Sequence, residues 1–196
     1  MKTKLIIVEG MDNTGKSTLI DRLDYVLSNT ENCAVKIIHL TKPPKDIPED
    51  EIVSYMNTYY DSIIEQLLSP QFYNMYNYII LDRGYISEFV YGPMYRNRNE
   101  LDITVNNLIY EKKLINTYKG NICLILLNSE TNGFLINHDD ENSLSNVNDE
   151  LLIKEREKFI EGFNNSLICN KKIYNVDKTI YQFNDILPEI IKDFFV

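Results

Sequence analysis

Residues 5–18 constrain this chain more than any other stretch. Leu5-Ile6-Ile7-Val8 is a short apolar run, and Glu9-Gly10-Met11-Asp12-Asn13-Thr14-Gly15-Lys16-Ser17-Thr18 follows with a glycine, four residues, a second glycine, a lysine and a serine. A strand ending at Glu9 must turn directly into a helix starting near Lys16, which Leu19, Ile20, Leu23, Val26 and Leu27 mark by their spacing. Such a turn leaves backbone N–H groups pointing inward, a nest for phosphate oxygens. Gly10 and Gly15 permit the backbone angles and the close approach; Lys16 brings positive charge to the β- and γ-phosphates, and the Ser17 hydroxyl can coordinate Mg²⁺. Asn13 and Thr14 complete the loop, and Thr18 supports the helix start. The motif gives a nucleoside triphosphate with Mg²⁺ as the cofactor class and leaves the reaction open.

The rest of the chain alternates in period. Strands are expected at 3–8, 34–38, 78–81, 121–127 and 172–176, with helices at 16–29, about 50–68, from about 85, 103–118, about 149–166 and 180–194. This alternation predicts an α/β fold, a parallel sheet covered on both faces by helices, with a common ligand edge at the C-terminal ends of the strands. The strands at 5–8, 78–81 and 122–127 are nearly all apolar, as strands buried on both faces are. One domain over 1–196 is expected, because no linker divides the chain and 44% apolar residues suffice for one core. Residues 128–148 are rich in Asn, Asp, Glu and Ser and are longer than an ordinary connection, which suggests a lid or a disordered excursion.

Charge narrows the partners. At net charge −9, the chain lacks the electrostatic footprint of a protein that binds nucleic-acid backbone, and a small phosphorylated substrate fits better. Cys33, Cys123 and Cys169 are scattered and odd in number, which reads as reduced intracellular thiols. Without a secretory pattern or an apolar run long enough to span a membrane, a soluble cytoplasmic protein is expected. His39 and His138 are isolated, so no transition-metal site is predicted.

A second site falls at Ile79-Ile80-Leu81-Asp82-Arg83-Gly84-Tyr85, a buried-type strand ending in an acid and a base. In a doubly wound sheet this end lies beside the phosphate loop. Asp82 can serve Mg²⁺ or the attacking oxygen there, and Arg83 can hold a phosphate with its planar fork. Farther on, Tyr85, Phe89 and Arg96 are candidates for stacking on a base and holding a phosphate or base carbonyl; the other reading packs Tyr85 and Phe89 into the core. Tyr55, Tyr59, Ile63 and Leu67 lie on helical spacing and read as a packed face.

Through the phosphate loop at 9–18 and the Asp82-Arg83-Gly84-Tyr85 block, the chain resembles the thymidylate kinase-like branch of the P-loop nucleoside and nucleotide kinases. The resemblance implies a three-layer P-loop NTPase fold, a five-stranded parallel sheet flanked by helices, with a lid segment. It implies ATP as phosphate donor, a small nucleotide as acceptor and a possible homodimer. It maps the contact to the deoxyribose hydroxyl onto Asp12, the acceptor-phosphate contact onto Arg83, and the catalytic Mg²⁺ and acceptor onto Asp82. Two features depart from the pattern. The catalytic arginine of the loop or lid is missing, since Asn13 stands in the loop and no Lys or Arg occurs between Lys119 and Lys154. Lys16, Mg²⁺, Arg83 and Lys154 or Arg156 would then meet the transition-state charge. The usual Arg-Glu-Pro-Gly-Gly segment is replaced by His39-Leu40-Thr41-Lys42-Pro43-Pro44, where Lys42 is the candidate phosphate contact.

The leading expectation is ATP- and Mg²⁺-dependent phosphoryl transfer to a deoxynucleoside monophosphate such as dTMP or a related pyrimidine. A deoxynucleoside kinase is the first alternative, with Asp82 or Glu9 as base toward a hydroxyl. A kinase acting on a modified base in DNA and a non-catalytic nucleotide-binding module also stay open. A GTPase switch does not, because no Asn-Lys-x-Asp element follows a later strand.

Overall fold

The computed structural model describes residues 2–29, 33–130, 149–176 and 182–195, with side chains from Ile186 onward in the last segment. Five strands form one sheet: β1 (Lys4–Gly10), β2 (Val35–His39), β3 (Tyr78–Asp82), β4 (Ile122–Asn128) and β5 (Lys171–Asn175). All pairings are parallel and the spatial order is β2-β3-β1-β4-β5. The helices are α1 (Lys16–Ser28), α2 (Ile52–Leu68), α3 (Pro70–Tyr73), α4 (Tyr85–Tyr95), α5 (Glu100–Tyr118), α6 (Asp149–Asn165) and α7 (Gln182–Phe195).

Alternation along the strands builds the three layers. Leu5 and Ile7, Ile79 and Leu81, and Leu124 and Leu126 face a core shared with α2, α4, α5 and α6. Ile6 and Val8, Ile80, and Cys123, Ile125 and Leu127 face the opposite core, filled by Leu19, Ile20, Leu23 and Leu27 of α1 and by Ile186, Ile190 and Phe194 of α7. Burying both faces of the central strands is why they are apolar throughout, each such side chain contributing about 1.5–3 kcal/mol.

The chain leaves β1 toward β2 on one side and crosses from β3 to β4 on the other, so the strand order reverses around β1. Ligands bind at such a reversal, beyond the carboxyl ends of the strands. Register puts Val8 beside Asp82 and His39 beside the same Asp82, so the ends of β1, β3 and β2 form one edge.

Three local features differ from the sequence expectation. Helix α5 starts at Glu100, because the Asn99 side chain accepts from the backbone N–H of Leu101 at 2.8 Å and Asp102 at 3.3 Å, a cap reinforced by acids in the first turn. Ser69 is extended and Pro70 starts a short separate helix, α3, which periodicity did not foresee. In α2 the buried stripe is Met56, Tyr60, Ile64 and Leu67; Tyr55 of the predicted face is exposed. Among the described residues no helix is long and apolar enough to cross a membrane.

Candidate functional site

The phosphate loop occupies the turn from β1 into α1. Gly10 has φ 147°, and a Cβ there would lie 2.4 Å from the Leu127 carbonyl oxygen, so no other residue fits between β1 and β4. Asn13 and Gly15 are left-handed, with φ 64° and 82°, and Gly15 stands immediately before α1. The buried Thr14 hydroxyl donates to the Met11 carbonyl at 2.9 Å, and Lys16 Nζ donates to the same oxygen at 2.6 Å. Lys16 is thus held inside the loop, with Ser17 and Thr18 exposed on the first turn of α1. Burial, aided by repulsion from Arg83, pulls the Lys16 ammonium down to about 7, against the attraction of Asp12, Asp82 and Glu9.

Beside the loop, β3 delivers Asp82 and Arg83. The Arg83 backbone N–H extends the ladder by donating to Val8 O at 2.9 Å, while its φ of 70° turns the chain sharply into α4. A left-handed arginine costs about 1–2 kcal/mol. The turn throws the guanidinium back across β1: Nη1 reaches Gly10 O at 3.2 Å and Ser87 Oγ at 3.4 Å, Nη2 pairs with Asp12 Oδ1, and the fork lies 5.4 Å from the centre of the Tyr91 ring. Asp82 Oδ2 is 2.9 Å from His39 Nδ1, a partner the sequence reading did not assign.

Glu9 has a different role from the proposed base. It is fully buried, its Oε1 accepts from the Ile86 and Ser87 backbone N–H groups at 3.1 and 3.2 Å, and its Oε2 accepts from Ser87 Oγ at 2.6 Å. The carboxylate therefore caps the N-terminus of α4, where both of its oxygens are engaged. Burial raises its pKa, opposed by the Ser87 bonds and by Arg83 and Lys16.

A cavity of about 310 Å³ opens next to Arg83, walled by Asp12, Leu40, Thr41, Lys42, Met56, Tyr60, Ser87, Glu88, Tyr91 and Arg96. It brings together Asp12, Lys42, Arg83 and Arg96 of the predicted substrate contacts. Tyr85 and Phe89 do not join them, and the core reading holds. Tyr85 donates its hydroxyl to buried Glu111 at 2.8 Å, and Phe89 packs against α6 beneath Lys158. The aromatics that line the cavity are Tyr60 and Tyr91. Tyr91 lies eight residues beyond Arg83 on α4, and Tyr60 is neighbour to the predicted Tyr59 on α2; a period read from sequence gives two adjacent stripes, and only packing selects one.

Mg²⁺ prefers oxygen ligands and completes its octahedron with phosphates and water, so one or two protein donors suffice. The exposed Ser17 hydroxyl at the start of α1 and the Asp82 carboxylate at the end of β3 are oxygen donors of the kind such an ion takes. Among the described residues no group of three or more His, Cys, Asp or Glu could hold a metal on its own. The lid expected at 128–148 falls outside the described residues beyond Glu130. Of the cations that follow it, Lys154 is exposed and Arg156 half-buried on α6.

These elements define the fold of the P-loop kinases: a parallel sheet of order 2-3-1-4-5 with the phosphate loop after the central strand. Solved structures with this fold include the thymidylate kinase of Ehrlichia chaffeensis, at TM-score 0.65 and 15% identity over 98% of each chain. The thymidylate kinase of Candida albicans aligns at TM-score 0.59 and 20% identity over 97% of this chain and 92% of that one. The deoxyadenosine kinase of M. mycoides with bound dATP aligns at TM-score 0.55 and 16% identity, over 95% and 98%. No family model and no curated protein matches the sequence.

Proposed function

We propose that the chain is a kinase that transfers the γ-phosphoryl group of ATP, with Mg²⁺, to a deoxynucleoside monophosphate, thymidylate or a related pyrimidine. The observation that carries this reading is Arg83. One guanidinium is bound to the phosphate loop through Gly10 and Asp12 and also walls the adjoining cavity, where it can hold the acceptor phosphate in line with the donor. Lys42 adds a second cation to the same wall. The similarity to thymidylate and deoxyadenosine kinase structures supports the substrate class.

In this mechanism the loop N–H groups of Gly10 to Lys16 cradle the donor phosphates, and Ser17 with Asp82 would hold Mg²⁺, whose charge would offset that of the phosphates. Lys16 and Arg83 meet the charge on the equatorial oxygens. The acceptor oxygen of a monophosphate is already ionised, so no base is required. Asp12, while orienting Arg83, contacts the sugar hydroxyl. Unpaired cysteines and nucleotide substrates suit a reducing, cytoplasmic setting.

The His39–Asp82 contact favours one second reading, a deoxynucleoside kinase in which Asp82 takes the proton of the 5′-hydroxyl. Incubation with ATP and Mg²⁺ and a mixture of deoxynucleosides and their monophosphates separates the two. Diphosphate products support the leading reading, monophosphate products the second, and phosphorylation of neither overturns both.

A further inference from the structure

Beyond Tyr95 the chain wraps around one carbonyl. The backbone N–H groups of Arg96 and Arg98 both donate to Gly92 O, at 3.0 and 3.1 Å, with left-handed Asn97 (φ 50°) between them. The turn carries both arginines onto one carboxylate: Arg98 Nη1 donates to Glu88 Oε1 at 2.6 Å, and Arg96 Nη1 donates to Oε2. A Cβ at Gly92 would lie 2.9 Å from Glu88 Oε1 and 2.7 Å from Ile103 Cδ1, so a side chain there would displace these groups. Arg98 also donates to Asn57 Oδ1 on α2, so the triad ties α2 to α4.

Taking charges out of water is costly, and apolar packing often serves stability as well as a buried ion pair. Clamping two helices needs one arginine; the second goes elsewhere. Arg98 is buried, its side chain 5% exposed, whereas Arg96 lines the cavity with Met56 and Tyr60. Glu88 is 3% exposed and each oxygen already accepts from an arginine, so it offers the cavity little as an acceptor. Arg96 spends one N–H on Glu88 among the described residues, and a guanidinium has five. This wall therefore presents donors fixed in direction, on the α2 side, while Arg83 serves the phosphate-loop side.

We propose that Arg96 reads the base of the acceptor, held in position by Glu88 and Arg98, and selects bases with a carbonyl oxygen at pyrimidine position 4 or purine position 6 over those with an amino group there. The proposal rests on the nucleotide-acceptor reading above. The C4 carbonyl of thymine or uracil and the C6 carbonyl of guanine accept from the fork; the amino group at the same position of cytosine or adenine offers only donors and leaves a desolvated guanidinium unpaired.

Calorimetric binding of dTMP, dUMP, dGMP, dCMP, dAMP and deoxyribose 5-phosphate tests it, in the wild type and in Arg96→Gln, whose fold a thermal melt checks. The carbonyl set is expected to bind at least about tenfold tighter than the amino set. Arg96→Gln should abolish that ratio and leave deoxyribose 5-phosphate affinity unchanged. Glu88→Gln, a change in a positioning residue, should narrow the ratio and raise KM for the acceptor, with KM for ATP unchanged. Equal wild-type binding of the two sets, a ratio that survives Arg96→Gln, loss of deoxyribose 5-phosphate binding in that variant, or binding of no monophosphate would each overturn the proposal. Transfer assays on the same samples keep the two readings apart. Base preference without transfer removes the kinase reading alone; transfer without base preference removes only this one.

Discussion

At the scale of single residues, Lys16 and Arg83 carry opposite costs. Arg83 accepts a left-handed backbone so that one fork can face both the loop and the cavity. Lys16 accepts burial, and its pKa falls from 10.5 to about 7. The unfolded chain then binds more protons than the folded one between those values, so the penalty on folding is full below about pH 7 and fades as pH rises toward 10.5. Nucleotide phosphates restore the charged form, so ATP binding at pH 8 should take up a proton. Calorimetry in two buffers of different ionisation enthalpy would show this uptake, and Lys16→Met should abolish it. Identical apparent enthalpies in both buffers for the wild type would contradict the assignment of Lys16 to the phosphates.

At the scale of elements, the turn between β3 and α4 depends on Glu9, which accepts from Ile86, 77 residues later in the chain, at the start of α4. Glu9→Ala removes the acceptor of three bonds and leaves two buried N–H groups unpaired, at a cost of about 3 kcal/mol or more. Glu9→Gln keeps one oxygen for both N–H groups and can donate to Ser87 Oγ, so it should stay within about 1 kcal/mol of the wild type. Because burial raises the Glu9 pKa above 4.5, the fold disfavours its charge as pH rises through that raised value, and an uncharged glutamine carries no such penalty. Denaturant melts measure both. Glu9→Gln should retain transfer activity, whereas complete loss with an intact fold would return Glu9 to the role of base. The cap also shows where sequence reading stopped. The phosphate loop, the Asp82-Arg83 pair and the five strands were legible because each is a local pattern. The Glu9 cap, the His39–Asp82 contact and the entry of Tyr60 and Tyr91 into the cavity join residues from different elements, and no local period encodes such contacts. Tyr85 and Phe89 were ambiguous for the same reason: an aromatic beside a site stacks on a ligand or on the core according to which way its helix is turned.

At the scale of the whole molecule, the sheet brings the loop after β1 and the turn after β3 to one edge, and α2, α4 and the segment after β2 enclose the cavity there. Ligands of this edge should stabilise the fold as a unit. At 100 times its Kd, ATP with Mg²⁺ should add about 2.7 kcal/mol and raise Tm by roughly 5–10 °C for a chain of this size. Lys16→Ala should lose most of that rise, and a full rise in the variant would mean that ATP binds elsewhere. In the proposed reaction the phosphate loop and Arg83 together move a phosphoryl group between two nucleotides. Its most direct test is the mass of the product formed from dTMP with ATP and Mg²⁺ by the wild type and by Lys16→Ala. The wild type should give dTDP and stoichiometric ADP, with a rate lower by about 10²–10³-fold in the variant. Equal rates in the two proteins, or ADP formed with no phosphorylated acceptor of any base, would contradict it.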